Sequence, residues 1–240
     1  MAGVMVPFAN GKGGVGKTAL ACSFAVAQAK RGASVIVTDL NDLQSTAVSW
    51  SQVRDANAIL PKIRVESATP RRAMEMIGRA DFLVVDTPGW TDKSTLALAK
   101  RSTFMVIPTG PNPTYELAPT IRLLHGLRHE GIEEWRLGVV LSRFRTDGKH
   151  IGEEEQFARA YLAEAGYRAL DGYVRNLPVY GTALAEGYGM TEVGRGDALD
   201  EVTRVMQSIE TGVANAERQL VRQPEPQREK TRERGGRDER

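Results

Sequence analysis

The sequence predicts an α/β fold in which a doubly wound, mainly parallel sheet is flanked by helices. Short apolar runs rich in β-branched residues recur along the chain with helix-period segments between them. That alternation builds a parallel sheet covered on both faces. The first run also leads straight into a glycine loop, N-G-K-G-G-V-G-K-T at 10 to 18, and a helical pattern follows it.

V-M-V-P-F-A at 4 to 9 is the first expected strand. Pro7 offers no backbone donor and is expected at a sheet edge or a bulge, yet the glycine loop needs a strand to launch from. A helix is expected from Lys17 to about Arg31, with Gly32 as its C-terminal stop. V-I-V-T at 35 to 38, F-L-V-V-D at 82 to 86, F-M-V-I-P at 104 to 108 and L-G-V-V-L at 137 to 141 read as buried parallel strands, because their residues are apolar at consecutive positions. Further helical periodicity falls near 70 to 78, 92 to 101, 115 to 129, 153 to 165 and 197 to 217. The expected division is one domain over 1–217 and a polar, disordered tail over 218–240, where apolar residues almost vanish and both charge signs mix. Such a tail makes a poor membrane anchor, since an interfacial helix needs bulky apolar residues on one face.

Composition narrows the function classes. Hydrophobic residues at 41% and charged residues at 26%, with no long apolar run, fit a soluble globular chain rather than a membrane-spanning one. The N-terminus lacks a basic start and a cleavage site, so the cytoplasm is the expected compartment. Cys22 is the single cysteine, which excludes an internal disulfide or a multi-cysteine metal site. The tail from Glu217 onward holds 8 basic and 6 acidic residues, leaving 24 of each sign in the body. Any nucleic-acid binding must then come from a local patch, from pooled patches in a dimer, or from the tail.

Gly11 to Thr18 fit G-x-x-x-x-G-K-[ST] between an expected strand and helix, the context a phosphate-binding loop requires. Glycines let backbone N–H groups converge on phosphate oxygens at the positive end of the following helix. The expected cradle comprises Gly11, Lys12, Gly13, Gly14, Val15, Gly16, Lys17, Thr18 and Ala19. Lys17 can neutralise the β and γ phosphates and Thr18 can ligand Mg²⁺. Asp86, at the end of a buried strand, supplies a carboxylate to hold Mg²⁺ directly or through water. Thr87, Pro88 and Gly89 form a turn able to respond to the γ-phosphate.

The loop also carries a second lysine, Lys12. K-G-G-V-G-K-T at 12 to 18 resembles the deviant Walker A box of the ParA/MinD P-loop ATPases, and the resemblance extends over most of residues 3 to 210. It implies ATP and Mg²⁺ as ligands and a nucleotide-sandwich dimer in which Lys12 reaches the partner's phosphates. T-D-L-N-D-L-Q-S-T-A-V-S-W at 38 to 50 resembles the family's A′ box, which implies a catalytic and metal-associated Asp39. The water-positioning acid falls on Asn41 by spacing from Asp39, or on Asp42 by counting back from Gln44 and Trp50. R-N-L-P-V-Y-G-T-A-L-A-E-G at 175 to 187 resembles the segment beside the adenine, making Arg175, Asn176 and Pro178 candidates for base contact. Where many relatives carry Asn after the fifth strand, this chain has Ser142 and Arg143. The guanine-selecting N-K-x-D is absent, which favours ATP.

Within that family, one cysteine excludes the iron–sulfur class and the polar tail argues against membrane attachment. With the loop beginning at residue 11, no room is expected for an N-terminal helix-turn-helix. The resemblance implies a small partition ATPase. ATP closes a homodimer that binds non-specific DNA, a centromere-binding adaptor stimulates hydrolysis, and plasmid or chromosome DNA is segregated on the nucleoid. Candidate DNA contacts are Arg143, Arg145, Lys149, Arg195 and Arg204. The alternatives are a positioning ATPase for a conjugation, chemotaxis or compartment cargo, an ATP-dependent ligase of dethiobiotin-synthetase type, and a non-hydrolysing nucleotide switch.

Overall fold

A computed structural model describes residues 3–89, 93–144 and 151–222. Seven strands form one parallel sheet in the order β3-β2-β4-β1-β5-β6-β7. β1 (Val4–Phe8), β2 (Val35–Asp39), β4 (Phe82–Asp86), β5 (Met105–Thr109) and β6 (Leu137–Phe144) correspond to the five apolar runs. The outer strands β3 (Arg64–Ser67) and β7 (Ala169–Arg175) carry no such run. Each lies at a sheet edge, where R-V-E-S and A-L-D-G-Y-V-R meet solvent and need no continuous apolar stretch.

The expected placement of Pro7 at an edge or bulge is corrected, because β1 is the central strand. Its even residues face one way for hydrogen bonding and its odd residues the other. The N–H groups of Met5 and Ala9 both reach toward β5, bonding Thr103 Oγ1 at 3.2 Å and the Val106 carbonyl at 2.9 Å. Pro7 lies between them with the same parity, so its missing donor falls on the β5 side. There the register is reduced to Phe8 opposite Val106. Toward β4 the ladder is complete from Val4 to Phe8.

Strand alternation sends residues to two cores. Val6, Phe8, Val37, Val84 and Val106 pack under α1 (Lys17–Lys30), α2 (Thr46–Ala56), α7 (Pro178–Ala185), α8 (Met190–Val193) and α9 (Asp197–Arg222). Met5, Ile36, Leu83, Val85 and Ile107 pack under α3 (Pro70–Met74), α4 (Lys93–Arg101), α5 (Ala118–His129) and α6 (Ile151–Glu164). A π-helical turn, Pro113–Leu117, precedes α5, so the periodicity expected from 115 spans two helix types. α9 continues to Arg222, beyond the expected 217. Its buried stripe of Val202, Val205, Met206, Ile209, Val213 and Ala216 recurs at helical spacing along most of that length.

One buried charge ties α2 to the α7–α8 connection. Arg54 is bidentate to Glu192 at 2.7 and 3.1 Å. It also donates to the carbonyls of Gly187 and Pro61 at 2.9 and 3.0 Å and stacks on Trp50 at 5.4 Å. Lys30 reaches the same carboxylate at 3.0 Å. Removing one partner leaves the other charge buried and uncompensated. Glu192→Ala is expected to lower unfolding free energy by about 3 kcal/mol, read from the urea midpoint. A loss under about 1 kcal/mol would show that Arg54 is satisfied by carbonyls alone.

Candidate nucleotide site

Parallel register brings the site residues to one level. Asp86 stands opposite both Phe8 and Asp39 at the carboxyl ends of β4, β1 and β2. From Phe8 the chain enters the glycine loop, which Gly14 and Gly16 turn at φ +77° and +86°. These left-handed values favour glycine, and Gly16 then caps α1. The buried Asn10 fixes the loop's start. Its Nδ2 donates to the Pro108 carbonyl at 2.7 Å and Thr120 Oγ1 at 2.9 Å, while its Oδ1 accepts from the Lys12 N–H at 2.9 Å. Ser142 Oγ donates to the Val15 carbonyl at 2.7 Å and holds the loop's other shoulder. Gly89 closes against the loop so tightly that a Cβ there would lie 3.0 Å from Gly13 Cα.

The two loop lysines differ in environment. Lys17 is buried and donates from Nζ to the Lys12 carbonyl at 3.0 Å. Burial lowers its pKa while Asp86 opposes the shift. Lys12 is exposed. Thr18 Oγ1 donates to Asp86 Oδ2 at 2.6 Å. Burial pushes the Asp86 carboxyl up to about 7, with Thr18 and Lys17 lowering it and Asp39 raising it. Asp86 Oδ1 is buried without a hydrogen-bond partner. An unpartnered carboxylate oxygen beside a threonine hydroxyl at a phosphate loop fits a hard divalent cation such as Mg²⁺.

Asp39 is held by backbone donors. Its Oδ1 accepts from the Asn41 N–H at 2.9 Å and its Oδ2 from the Ala47 and Val48 N–H groups at 2.9 and 3.4 Å, so it caps α2 from outside the helix. Asn41 Nδ2 donates to Gln44 Oε1 at 3.0 Å, and the Asn41 side chain is half-buried beside Asp39. Asp42 is exposed.

A cavity of about 190 Å³ adjoins the loop, lined by Gly14, Ala19, Arg143, Asn176, Leu177 and Tyr180 among others. Asn176 lines it directly, and Pro178 starts α7, which contributes Tyr180, Gly181 and Leu184. Arg175 also borders it, but its guanidinium is paired with Glu201 at 2.6 Å. The Tyr180 hydroxyl donates to the Ala198 carbonyl at 2.8 Å. Of the basic residues proposed for DNA, Arg143 donates to the Gly14 carbonyl at the loop, whereas Arg195 and Arg204 are exposed elsewhere. Arg145 and Lys149 lie outside the described residues.

Sequence reading passed over Asn10, although a polar residue between a buried strand and a glycine loop is itself a signal that something there needs fixing. Tyr180 and Glu201 gave no such signal, because their roles arise from contacts distant in sequence.

A phosphate-binding loop, a buried strand-end carboxylate and an adjoining cavity at the carboxyl ends of the strands define a P-loop nucleotide-binding domain. The chain belongs to the CobQ/CobB/MinD/ParA nucleotide binding domain family, whose profile matches residues 6–216. It is 30% identical over 197 residues to the maintenance of carboxysome distribution protein A of Gloeobacter kilaueensis, covering 78% of this chain and 84% of that protein. Its fold is similar to the septum site-determining protein MinD complexed with Mg-ADP from Pyrococcus horikoshii OT3, with a TM-score of 0.68 and 15% identity over 89% of this chain and 98% of the other. It is also similar to a ParA family ATPase from Chlorobium tepidum TLS, with a TM-score of 0.66 and 15% identity over 85% and 98% of the two chains. Among the described residues, no helix is long and apolar enough to cross a membrane.

The raised Asp86 pKa sets a pH dependence. The ordinary value is 3.8 and the folded value about 7, so the folded chain binds this proton more tightly than the unfolded chain does. Its contribution to stability is fully present below pH about 4 and is lost as pH rises to about 7. In EDTA without nucleotide, Asp86→Asn should therefore melt close to wild type at pH 4 and above it at pH 8. Stabilisation of the wild type by Mg²⁺ with nucleotide should grow as pH rises through 7 and be absent in the variant. Equal melting of the two proteins at pH 8 would show that Asp86 is ionised at no cost.

Proposed function

We propose that this protein is a dimerising, positioning ATPase. Lys17 and the loop N–H groups hold the phosphates of ATP, and Thr18 with Asp86 holds Mg²⁺, which supplies positive charge to the leaving phosphates. Asp39 keeps the start of α2 beside the phosphates through its three backbone hydrogen bonds. The attacking water is then positioned by the Asn41–Asp42 segment. If the half-buried Asn41 amide does this, no proton can be accepted there, and hydrolysis waits on a partner protein. If the exposed Asp42 does it, the loop must close first.

The observation that carries the reading is the contrast between the two lysines. Lys17 is buried on its own loop, whereas Lys12 has its backbone fixed by Asn10 and Lys17 and its side chain exposed. A cation so placed suits the phosphates of a second copy, much as an arginine finger acts in trans. ATP then closes a sandwich dimer that binds DNA without sequence preference, and a partner-stimulated step releases it. Arg195 and Arg204 are the described candidates for that contact, and Arg145 and Lys149 are further candidates outside the described residues. The cargo is a DNA locus with a centromere-binding adaptor, or a protein compartment. The similarity to a protein named for carboxysome distribution favours the compartment. The setting is the cytoplasm over the nucleoid.

Lys12→Ala is expected to bind ATP within about threefold of wild type while losing the ATP-dependent dimer in sedimentation velocity and ATP-dependent co-sedimentation with non-specific DNA. A variant that loses ATP itself would end the trans role. Wild-type DNA binding that is absent or indifferent to nucleotide would end the positioning reading. For the cargo, a fluorescent fusion should track a protein compartment. Tracking a plasmid locus instead would select the adaptor-bound DNA.

A further inference from the structure

A groove of about 610 Å³ runs between α4 and α5, on the sheet face opposite α1, and extends to Asn10 and Gly11 at the start of the phosphate loop. Pro119, Arg122, Leu123, Gly126, Leu127 and Glu130 line its α5 side. They recur at helical spacing, so one continuous face of α5 is turned to the groove. Leu96 lines it from α4, and both Leu96 and Leu123 are only partly buried.

Gly126 has no reason within the chain to be a glycine. Glycine inside a helix is destabilising relative to alanine. Gly126 is not among the glycines with positive φ, and a Cβ there would meet nothing within 4 Å. The bare backbone instead gives the groove a floor that a second element can approach closely.

Charge selects the occupant. The body of the chain balances its charges, yet α4 and α5 carry Lys93, Lys100, Arg101, Arg122 and Arg128 with no Asp or Glu. Lys100 is paired with Glu130 at 3.3 Å, and Arg128 donates to the Ile132 carbonyl at 2.9 Å. Arg122 is exposed on the rim, with no ion pair among the described residues. His129 also lines the groove. A nucleic-acid backbone would use the cations only, because phosphates gain nothing from Leu96, Leu123 and Leu127. An amphipathic helix uses both features, with apolar residues one turn apart on the leucines and carboxylates on Arg122 and His129.

We propose that the α4–α5 groove is a docking surface for an acidic amphipathic helix of a partner protein. The leucines supply apolar contact, Gly126 supplies depth and Arg122 sets the orientation of the incoming helix. This surface is separate from the cavity lined by Tyr180, and the proposal does not depend on the nucleotide reading.

The test measures fluorescence anisotropy of a labelled synthetic helical peptide of about four turns, with leucines at i, i+3, i+4 and i+7 and glutamates on the flanks. Two controls are a scrambled peptide of the same composition and one with lysines in place of the glutamates. Wild type should bind the glutamate peptide at least about tenfold more tightly than either control. Gly126→Leu should weaken that binding at least about tenfold while melting no lower than wild type, since leucine favours the helix and its Cβ meets no neighbour. Arg122→Glu, an exposed change, should reverse the preference toward the lysine peptide. Failure of the glutamate peptide to bind wild type would overturn the proposal, as would equal binding of the scrambled peptide, which would mean charge attraction without a groove. Unchanged affinity in a Gly126→Leu protein that melts like wild type would place the contact elsewhere and also overturn it. So would an Arg122→Glu protein that still prefers the glutamate peptide. Displacement of the peptide by an equimolar non-specific DNA duplex would make this a phosphate surface, and self-association in sedimentation velocity that Gly126→Leu removes would assign the groove to a second copy; either result rejects the partner helix.

Discussion

The register of the four strands β3, β2, β4 and β1 is the constraint on which the site depends. Their carboxyl ends meet in one row of Ser67, Asp39, Asp86 and Phe8. Side chains in one row of a parallel sheet project to the same face. Two residues earlier the same row holds Val37, Val84 and Val6, all buried under α1 and its neighbours. Both carboxylates therefore emerge on the α1 and α2 side, where Thr18 and the α2 amides receive them. A slip of one residue in β4 would send Asp86 to the opposite core and a valine to the loop. The apolar pattern that stabilises the sheet is thus the same pattern that aims the site.

Aiming a carboxylate into a buried position has a cost, and the structure places that cost unevenly. Both Asp39 oxygens accept from backbone donors. Asp86 keeps one oxygen without a partner and a pKa near neutrality. The first fixes the start of α2, and the second presents a buried carboxylate oxygen that suits a cation. α2 then carries the effect away from the phosphates. Through Trp50, which donates to the Tyr188 carbonyl at 3.1 Å, and Arg54, paired with Glu192, it holds the segment that places Met190 in the wall of the cavity beside the loop. The glycine loop and the cavity beside it are consequently parts of one braced side of the sheet.

What the sequence disclosed follows the same physics. Central strands are buried on both faces, so they appear as apolar runs, and Gly14 and Gly16 of the loop take left-handed backbone angles that favour glycine. Asp86 was legible because it ends such a run. The edge strands β3 and β7 were not, since an edge tolerates charge and a bulge, and β6 and β7 do shift register. Pro7 was misplaced because its tolerance depends on which neighbour its nitrogen faces, and that is set by sheet order rather than by the strand itself. The contacts of Arg143 were not legible either. In sequence it is one basic residue in R-F-R near other cations, and only its backbone angle and its contact with Gly14, 129 residues away, set it apart.

The loop itself shows how a short motif separates two like charges. Asn10 holds the Lys12 amide and Lys17 holds the Lys12 carbonyl, so the backbone at residue 12 is gripped on both sides. A gripped backbone with an exposed side chain leaves the ammonium to swing on its four-carbon stem over a limited arc outside the loop. Lys17, by contrast, is buried beside Asp86, where desolvation and attraction act against each other. Moving Lys12 inward would bring a second cation toward Lys17 without a second carboxylate at hand, since Asp39 is already engaged by backbone donors. Repulsion and desolvation both oppose that move. The Lys12 side chain is thus left exposed outside the loop, and the proposed dimer would give that outward charge an anion to meet.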